Sequence, residues 1–383
     1  MTTSFVESCQ KTVTGSAVAA ERQARGRPRA GKLLKTLAGK TSVLITTHQH
    51  PDPDAMASAL GMCVLLTKKL PGVKVEVSFK GRVGLAGINA SFVKHAELQP
   101  TPWDEDAVTG GKYDAIILVD VQPAFALSPL PAGVTPTAVV DHHLSHGRRL
   151  QCPFCDLRTD VGATASIVFS YFMELNVPIP PDLAAVLLFA IETDLAGAAG
   201  TPGDLDNVAL SSLTLMADAR KLYQMRYVDL PQTFFIAFAQ GLEAAVVYDS
   251  AVVAHLDTID SVEKAAILAD LFLRYESAKW SMVTARFENK LIVSIRRREG
   301  KLTAAQMARR ILRGIGEGGG HRNKAGGAIV LQTNTPAELD RFRKQLRRRF
   351  LRLLGIEVGR GQKLVPEAKK VNHGDTEGIE TNV

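Results

Sequence analysis

Short apolar runs alternate with stretches of helical periodicity over the first two thirds of the chain. The runs predict four buried strands, at 43–45, 75–79, 115–119 and 138–140. The stretches between and after them predict helices, most clearly at 163–175, 183–192 and 207–222. Continuous apolar strands separated by helices are typical of a parallel sheet covered on both faces. The pattern therefore predicts an α/β domain with a Rossmann-like parallel sheet.

The pattern changes near residue 250. Strands at 250–256, 280–287, 291–297 and 328–331 alternate with helices at 262–275, 304–312 and 337–354, which predicts a second, smaller α/β domain. We expect a disordered arm (1–30), a first domain (31–230), a connector helix (231–250), a second domain (251–358) and a loose tail (359–383). We also expect a cleft between the two domains.

Charge separates the same two parts. The net charge is +7, but the segment from Arg286 to Arg360 holds 19 basic and 6 acidic side chains. A basic second part suits anion binding, with a solvated basic surface as the alternative. No apolar run approaches the about 20 residues of a membrane helix, and four cysteines are too few for a disulfide framework. We therefore expect a cytoplasmic protein, with Cys152 and Cys155 as free thiols.

Histidine and aspartate side chains cluster where the predicted strands of the first domain end. In chain order they are His48, Asp52 and Asp54, then Asp120, then Asp141, His142 and His143, and finally Asp194 just past an apolar helix. Parallel strands open their carboxyl ends on one edge of a sheet, so these groups can converge. Clustered carboxylates repel one another unless a cation compensates them. The alternative is that each Asp caps a helix and each His is a packed core residue.

The clustered histidine and aspartate side chains are suitable ligands for a metal centre. Mixed histidine and carboxylate ligands favour Mn²⁺ or a similar ion over Ca²⁺. Two such ions about 3.5–4 Å apart would activate a water for attack on phosphorus. The sequence therefore predicts a two-metal phosphoesterase centre.

These motifs resemble those of a known family, the DHH phosphoesterases. The resemblance rests on His48-x-x-Pro51-Asp52-x-Asp54-Ala55, on Asp120 and on Asp141-His142-His143. The later Gly318-Gly319-Gly320-His321, with Ala325-Gly326-Gly327, resembles the glycine-rich motif of the DHH-associated C-terminal domain. Pro53 departs from the pattern, since the family often has a small residue there.

The resemblance implies a role for each residue. His48, Asp52 and Asp120 would bind one metal, Asp54, His142 and Asp194 the second, and Asp120 would bridge the two. Asp141 would orient a metal-binding histidine rather than bind metal itself. His143 would face the substrate phosphate or leaving group.

The glycine-rich motif has a physical reason to bind substrate. Consecutive glycines expose backbone N–H groups and let an anion approach closely. Gly318, Gly319, Gly320 and His321 are thus expected to hold a substrate phosphate, with Arg296 as a further candidate. The alternative is a flexible turn.

The expected activity is manganese-dependent hydrolysis of short oligonucleotides or small nucleotides. The family's substrates imply short RNA or DNA, 3′-phosphoadenosine 5′-phosphate and linear dinucleotides. Alternatives are a RecJ-like single-strand exonuclease, a cyclic dinucleotide phosphodiesterase, and a non-catalytic nucleotide-binding or nucleic-acid-binding protein on the same fold. A homodimer is compatible with the sequence, and a membrane partner is not expected.

Overall fold

A computed structural model describes most of the chain. The described residues are 29–49, 51–81, 87–125, 127–144, 150, 152–195, 202–320 and 322–366. Residues 1–28 of the expected arm (1–30) and residues 367–383 of the expected tail lie outside them. The chain divides into two compact units, the first ending at Leu230 and the second beginning at Pro231.

Unit 1 is built on five parallel strands. They are β1 (Ser42–Thr46), β2 (Lys74–Val77), β3 (Ala115–Val119), β4 (Ala138–Asp141) and β5 (Phe154–Leu157). The spatial order is β2-β1-β3-β4-β5, and every neighbouring pair is parallel. Apolar side chains of β1, β3 and β4 are fully buried, as continuous apolar runs predict. The predicted α/β fold with a parallel sheet is confirmed.

Eight described helices accompany this sheet. They are α1 (Ala30–Thr36), α2 (Pro53–Lys69), α3 (Gly87–Ala96), α4 (Glu105–Thr109), α5 (Thr164–Glu174), α6 (Pro181–Leu195), α7 (Asp204–Met216) and α8 (Ala219–Arg226). The single helix predicted over 207–222 is wrong, because Asp218 caps a new helix by accepting a hydrogen bond from Lys221 N at 2.7 Å. Strand β5 was not predicted, because its sequence Phe-Cys-Asp-Leu is not a continuous apolar run.

Unit 2 contains a second, mostly antiparallel sheet. Its strands are β6 (Val246–Tyr248), β7 (Ala251–Thr258), β8 (Trp280–Phe287), β9 (Lys290–Arg297), β10 (Glu317–Gly320), β11 (Lys324–Val330) and β12 (Gln362–Lys363). Its helices are α9 (Gln232–Ala244), α10 (Glu263–Phe272), α11 (Ala304–Leu312) and α12 (Pro336–Leu354). The spatial order is β10-β11-β9-β8-β7-β6-β12, and only the β7–β8 pair is parallel among these strands.

Helices cover both faces of the second sheet. Residues of α11 and α12, including Leu312 and Phe350, pack with Val293 on one face. Residues of α10, including Leu268, pack with Val283 on the other. Each face therefore has its own hydrophobic core.

Two local expectations for unit 2 differ from the structure, and one alternative is excluded. The alternative that the glycine-rich stretch is a flexible turn does not hold, because Glu317–Gly320 is a strand that pairs with β11. The end of the region expected to be a connector helix is strand β6, which pairs with β7. Gln362 and Lys363 of the expected loose tail pair with β6 as well.

Cys152 and Cys155 form a disulfide, so the expectation of two free thiols is wrong. Their Cα atoms are 6.2 Å apart, within the range that a disulfide bridges. Among the described helices, none combines the length and the apolar character that crossing a membrane requires.

Candidate metal centre

The candidate ligands of unit 1 lie at the carboxyl ends of β1, β3 and β4. In the strand order β2-β1-β3-β4-β5 the chain leaves β1 towards one side of the sheet and β3 towards the other. Such a switch point opens a crevice outside the strand ends, where α/β proteins bind their ligands. The topology therefore explains why motifs far apart in sequence meet here.

The first motif lies at the start of helix α2. Asp52 is the N-cap residue, and its Oδ1 accepts a hydrogen bond from Ala55 N at 3.0 Å. The helix begins at Pro53, because proline suits the first helical position. Asp54 thus lies in the first helical turn rather than in a loop, and it is 1% exposed.

Asp120 occupies the middle of the cluster. It follows β3 directly, is 3% exposed and has a backbone φ of +57°. A non-glycine residue with a positive φ is uncommon, and such strain is concentrated at functional sites. Its Oδ2 lies 3.6 Å from His48 Nε2, whereas its Oδ1 lies 3.4 Å from His142 Nε2. The two oxygens therefore face different histidines.

Two groups of possible ligand atoms share this region, and within each group the atoms lie within 4.8 Å of one another. One group is His48, Asp52 and Asp120, and the other is Asp54, His142 and Asp194. Asp120 also groups with His142 and His143. Asp194 belongs to the last turn of α6 rather than to the loop after it. The ligand roles of these residues remain predictions, but their side chains do gather as the motifs suggested.

The donor atoms fit a divalent ion. Bonds of about 2.0–2.2 Å to nitrogen and oxygen ligands place neighbouring donors about 3–3.5 Å apart. The His142 Nε2 atom is 3.4 Å from Asp120 Oδ1 and 3.6 Å from Asp194 Oδ2. Small inward shifts would complete such a coordination shell.

Backbone carbonyls orient two of the histidines. His48 Nδ1 lies 3.0 Å from the carbonyl oxygen of Gln49, and His142 Nδ1 lies 3.4 Å from that of Val161. An Nδ1–H that donates to a carbonyl fixes the tautomer in which Nε2 holds the lone pair. In both rings, Nε2 is the nitrogen that approaches Asp120.

Asp54 is electrostatically unfavourable without a compensating cation. Burial raises its pKa well above the usual range, and the charges of Asp120, Asp194 and Asp52 raise it further. Its carboxylate nevertheless accepts backbone hydrogen bonds from Thr164 N and Ala165 N, both at 2.8 Å. These donors start helix α5, so a helix N-terminus partly offsets the charge. A divalent ion would offset the rest.

The same charges act on the histidines. Burial alone would lower the pKa of His48, but its contact with Asp120 and the charges of Asp52 and Asp120 raise that pKa to about 9. Burial also opposes protonation of His143, yet its hydrogen bond to Asp141 and the nearby carboxylates raise its pKa to about 9. In turn, the positive histidines hold the pKa of Asp120 below its usual range despite burial.

Asp141 contacts the second histidine of its motif. Its Oδ1 accepts a hydrogen bond from His143 Nδ1 at 2.7 Å, and its Oδ2 accepts one from Gln122 Nε2 at 2.7 Å. Gln122 Nε2 also donates to the His143 carbonyl oxygen at 3.0 Å. Gln122 was not predicted, although its place two residues after Asp120 was a usable signal. It fixes both partners of the Asp141–His143 pair.

Thr164 is a second residue that sequence reasoning missed. Its Oγ1 donates to Asp120 Oδ1 at 2.8 Å, in addition to the bond from its backbone to Asp54. The residue lies 44 positions from Asp120, and nothing in its local sequence marks that contact. It links residues from both candidate ligand groups.

The glycine-rich strands of unit 2 form a surface with few side chains. Gly319 pairs with Gly326, which pairs with Ser294, so these three form a row across β10, β11 and β9. A Cβ atom added at Gly319 would meet nothing within 4 Å. Lys324 pairs with Arg296, and these two lie two residues from Gly326 and Ser294 on β11 and β9, so they are on the same face of the sheet.

Arg296 is already held by protein groups. Its Nε donates to Asp270 Oδ1 at 2.7 Å, and its Nη1 donates to Ser294 Oγ at 3.0 Å. These bonds fix the guanidinium beside the glycine row. His321, the remaining candidate of this motif, lies outside the described residues.

Residues 42–191 match the family model described as the N-terminal domain of the DHH family. This segment is a DHH-family N-terminal domain. The match includes all five strands of unit 1 and most of the candidate ligands, and it ends three residues before Asp194.

Known proteins related to this chain include two curated relatives. It is 27% identical over 343 residues to an uncharacterized protein of Methanocaldococcus jannaschii, covering 87% of this chain and 68% of that protein. It is 30% identical over 179 residues to a probable manganese-dependent inorganic pyrophosphatase of Listeria welshimeri, covering 46% of this chain. That alignment spans only 56% of the Listeria protein.

A solved structure has the same fold. The exopolyphosphatase-related protein from Bacteroides fragilis superposes with a TM-score of 0.67 at 18% identity. The superposition covers 85% of this chain and 97% of that protein. The likeness therefore extends well beyond the part that matches the family model.

Proposed function

We propose that this protein is a metal-dependent phosphoesterase that hydrolyses short oligonucleotides or small nucleotides. The observation that carries the proposal is the position of Asp120, whose two oxygens face His48 and His142 in two different ligand groups. This is the arrangement expected of a carboxylate that bridges two ions. The manganese-dependent relative supports Mn²⁺ as the ion.

Each group of the centre has a distinct task in this proposal. Two divalent ions held by the six predicted ligands would lower the pKa of a shared water and so supply hydroxide at neutral pH. His143 protonates the leaving oxygen through Nε2, because its Nδ1 is engaged by Asp141. Gln122 keeps the Asp141 carboxylate in place for this step.

The glycine-rich strands of unit 2 are a further candidate for binding substrate, as the family resemblance implies. Gly319 and Gly326 are neighbours on β10 and β11, about 5 Å apart at the usual strand spacing, whereas Ser294 next to them on β9 is only 5% exposed. The two glycines leave room for a flat group of the substrate, such as a base. Lys324 supplies positive charge for a phosphate beside them, while the charge of Arg296 is paired with Asp270. These features favour a short nucleotide substrate.

Inorganic pyrophosphate is the second candidate substrate, because the Listeria relative is named as a pyrophosphatase. Pyrophosphate has no base or sugar, so it would make no use of the glycine row. A substrate comparison separates the two candidates.

The experiment compares kcat/KM with Mn²⁺ for a ladder of oligonucleotides from two to ten residues, 3′-phosphoadenosine 5′-phosphate, a cyclic dinucleotide and pyrophosphate. We expect the highest values for the shortest oligonucleotides or for 3′-phosphoadenosine 5′-phosphate. A maximum at pyrophosphate would favour the second candidate. A steady rise with strand length would favour the RecJ-like alternative, and no turnover of any substrate would reject the enzyme proposal.

A further inference from the structure

Asp206 is a fully buried carboxylate with no assigned role in this chemistry. It is the third residue of α7, and its Oδ2 accepts two backbone hydrogen bonds. One comes from Gly203 N at 2.8 Å and caps its own helix. The other comes from Gly162 N at 2.6 Å, 44 residues away in sequence. The second bond ties α7 to the loop that precedes α5.

That loop is packed too closely for side chains at its contact points. A Cβ atom on Gly162 would lie 2.3 Å from Leu195 Cδ2 and 3.1 Å from Asp206 Oδ2. A Cβ atom on Gly203 would lie 2.1 Å from the carbonyl oxygen of Asp160. Two glycines are thus used to bring the loop against the ends of α6 and α7. The loop position is therefore set by α7 as well as by α5.

The same loop contacts three predicted metal ligands. The Val161 carbonyl lies 3.4 Å from His142 Nδ1, and Thr164 Oγ1 donates to Asp120 at 2.8 Å. Its end, at the start of α5, supplies both backbone hydrogen bonds to Asp54. A shift of this loop would move or release all three side chains. Groups that orient metal ligands in this way typically change metal affinity by about 10–100-fold when removed.

We infer that Asp206 is a positioning residue of the metal centre, which it serves by fixing the 161–164 loop through Gly162. The inference rests on the proposed function, because it concerns the ligands of that same centre. It assigns Asp206 no contact with substrate or metal. Loss of the Asp206 carboxylate should chiefly weaken binding of the ion held by Asp54 and His142, since the loop contacts both residues.

Metal binding to the full chain, measured by calorimetric titration of Mn²⁺ into metal-free protein, tests this inference. Asp206→Ala should weaken binding of at least one ion by about 10–100-fold. Asp206→Asn keeps an acceptor oxygen and should bind Mn²⁺ more tightly than Asp206→Ala. The matched control is Asp218→Ala, which removes a similar helix cap from α8 without touching the loop. It should lower the melting temperature but leave Mn²⁺ affinity unchanged.

Gly162→Ala provides an independent variant if Asp206→Ala does not fold. Its methyl group would clash with Leu195 Cδ2 at 2.3 Å and crowd Asp206 Oδ2 at 3.1 Å, which moves the loop but leaves the cap on Gly203 in place. Because Leu195 adjoins the predicted ligand Asp194, the Gly162→Ala/Asp206→Asn double variant is measured too, and weaker Mn²⁺ binding by Gly162→Ala with no further loss in the double variant supports the inference. Wild-type affinity in Gly162→Ala, or in a folded Asp206→Ala, overturns it and leaves Asp206 as a helix cap alone.

The outcome for the wild-type protein separates this inference from the proposed function. Wild-type protein that binds Mn²⁺ but hydrolyses no substrate contradicts the proposed function and leaves the Asp206 comparison intact. Wild-type protein that binds no Mn²⁺ overturns both.

Discussion

The proton held by His48 should control how tightly the centre binds metal. The pKa of His48 is raised to about 9, so at pH 7 only about one molecule in 100 carries the neutral ring that a metal requires. Between pH 7 and pH 8 the neutral fraction rises about tenfold. The apparent affinity for the ion at His48 should rise by the same factor, about 1.4 kcal/mol.

Calorimetric titration of Mn²⁺ under anaerobic conditions at pH 6.5, 7.0, 7.5 and 8.0 measures this dependence. Repeating each titration in buffers of different ionisation enthalpy counts the protons released. We expect His48 to release about one proton when the ion at its own site binds. His95→Asn is the matched control, because His95 belongs to unit 1 but to none of the ligand groups. An affinity that stays constant from pH 6.5 to 8.0 would refute the reasoning.

The same shifts set the stability of the metal-free protein. The folded-state pKa values of His48 and His143, both about 9, lie above the unfolded value of 6.5. Their contribution to stability is therefore fully present below pH 6.5 and is lost as the pH rises through about 9. Thermal unfolding of chelator-treated protein should show a falling melting temperature over that window, and added Mn²⁺ should reverse the trend.

Two further predictions concern substitutions near substrate. Gly319→Ala should raise KM for a dinucleotide by about 5–30-fold without lowering the melting temperature, because its methyl group faces open space. Its control is Gly318→Ala, whose methyl group would lie 2.5 Å from Leu312 Cδ1 and should destabilise unit 2. Equal KM values for Gly319→Ala and wild type would show that the glycine row does not bind substrate. Gln122→Leu removes the side-chain amide that donates hydrogen bonds to Asp141 and to the His143 carbonyl oxygen. It should lower kcat by about 10-fold or more with little change in KM. Unchanged kcat would contradict that role.

The parallel sheet was predictable because its strands are continuous apolar runs. Val43, Leu44 and Ile45 are fully buried, as are Ile117, Leu118 and Val119, and burial on both faces requires such runs. The short edge strand β5 was not predictable in this way. Its buried residues are Phe154 and Asp156, so a charged side chain interrupts the apolar run from which the other strands were predicted.

The candidate ligands were predictable because each follows a predicted strand or helix, whereas the residues that position them were not. Thr164, Gln122 and Asp206 act through contacts across 19 to 44 residues of sequence. Such contacts depend on how loops pack, and local patterns carry no information about that packing. The strand formed by the glycine stretch was not predictable for a related reason, since only pairing with β11 makes it a strand.

Pro53 illustrates how one substitution can be explained by local geometry. It departs from the small residue common in the family, yet it lies at the first position of α2, where its fixed φ suits the helix and its missing N–H has no cost. Both neighbouring carboxylates still join the candidate ligand groups. The proline therefore fixes the helix start without displacing Asp52 or Asp54.

Asp120→Asn tests whether Asp120 bridges two ions in a hydrolytic centre. Asparagine keeps the size of the side chain and tolerates the positive φ at this position, so the fold should survive. The measurement is Mn²⁺ stoichiometry together with the rate of dinucleotide hydrolysis. The account predicts two ions per wild-type chain with turnover, and fewer ions with a rate at least about 100-fold lower in Asp120→Asn. Wild-type stoichiometry and rate in the folded variant would contradict it.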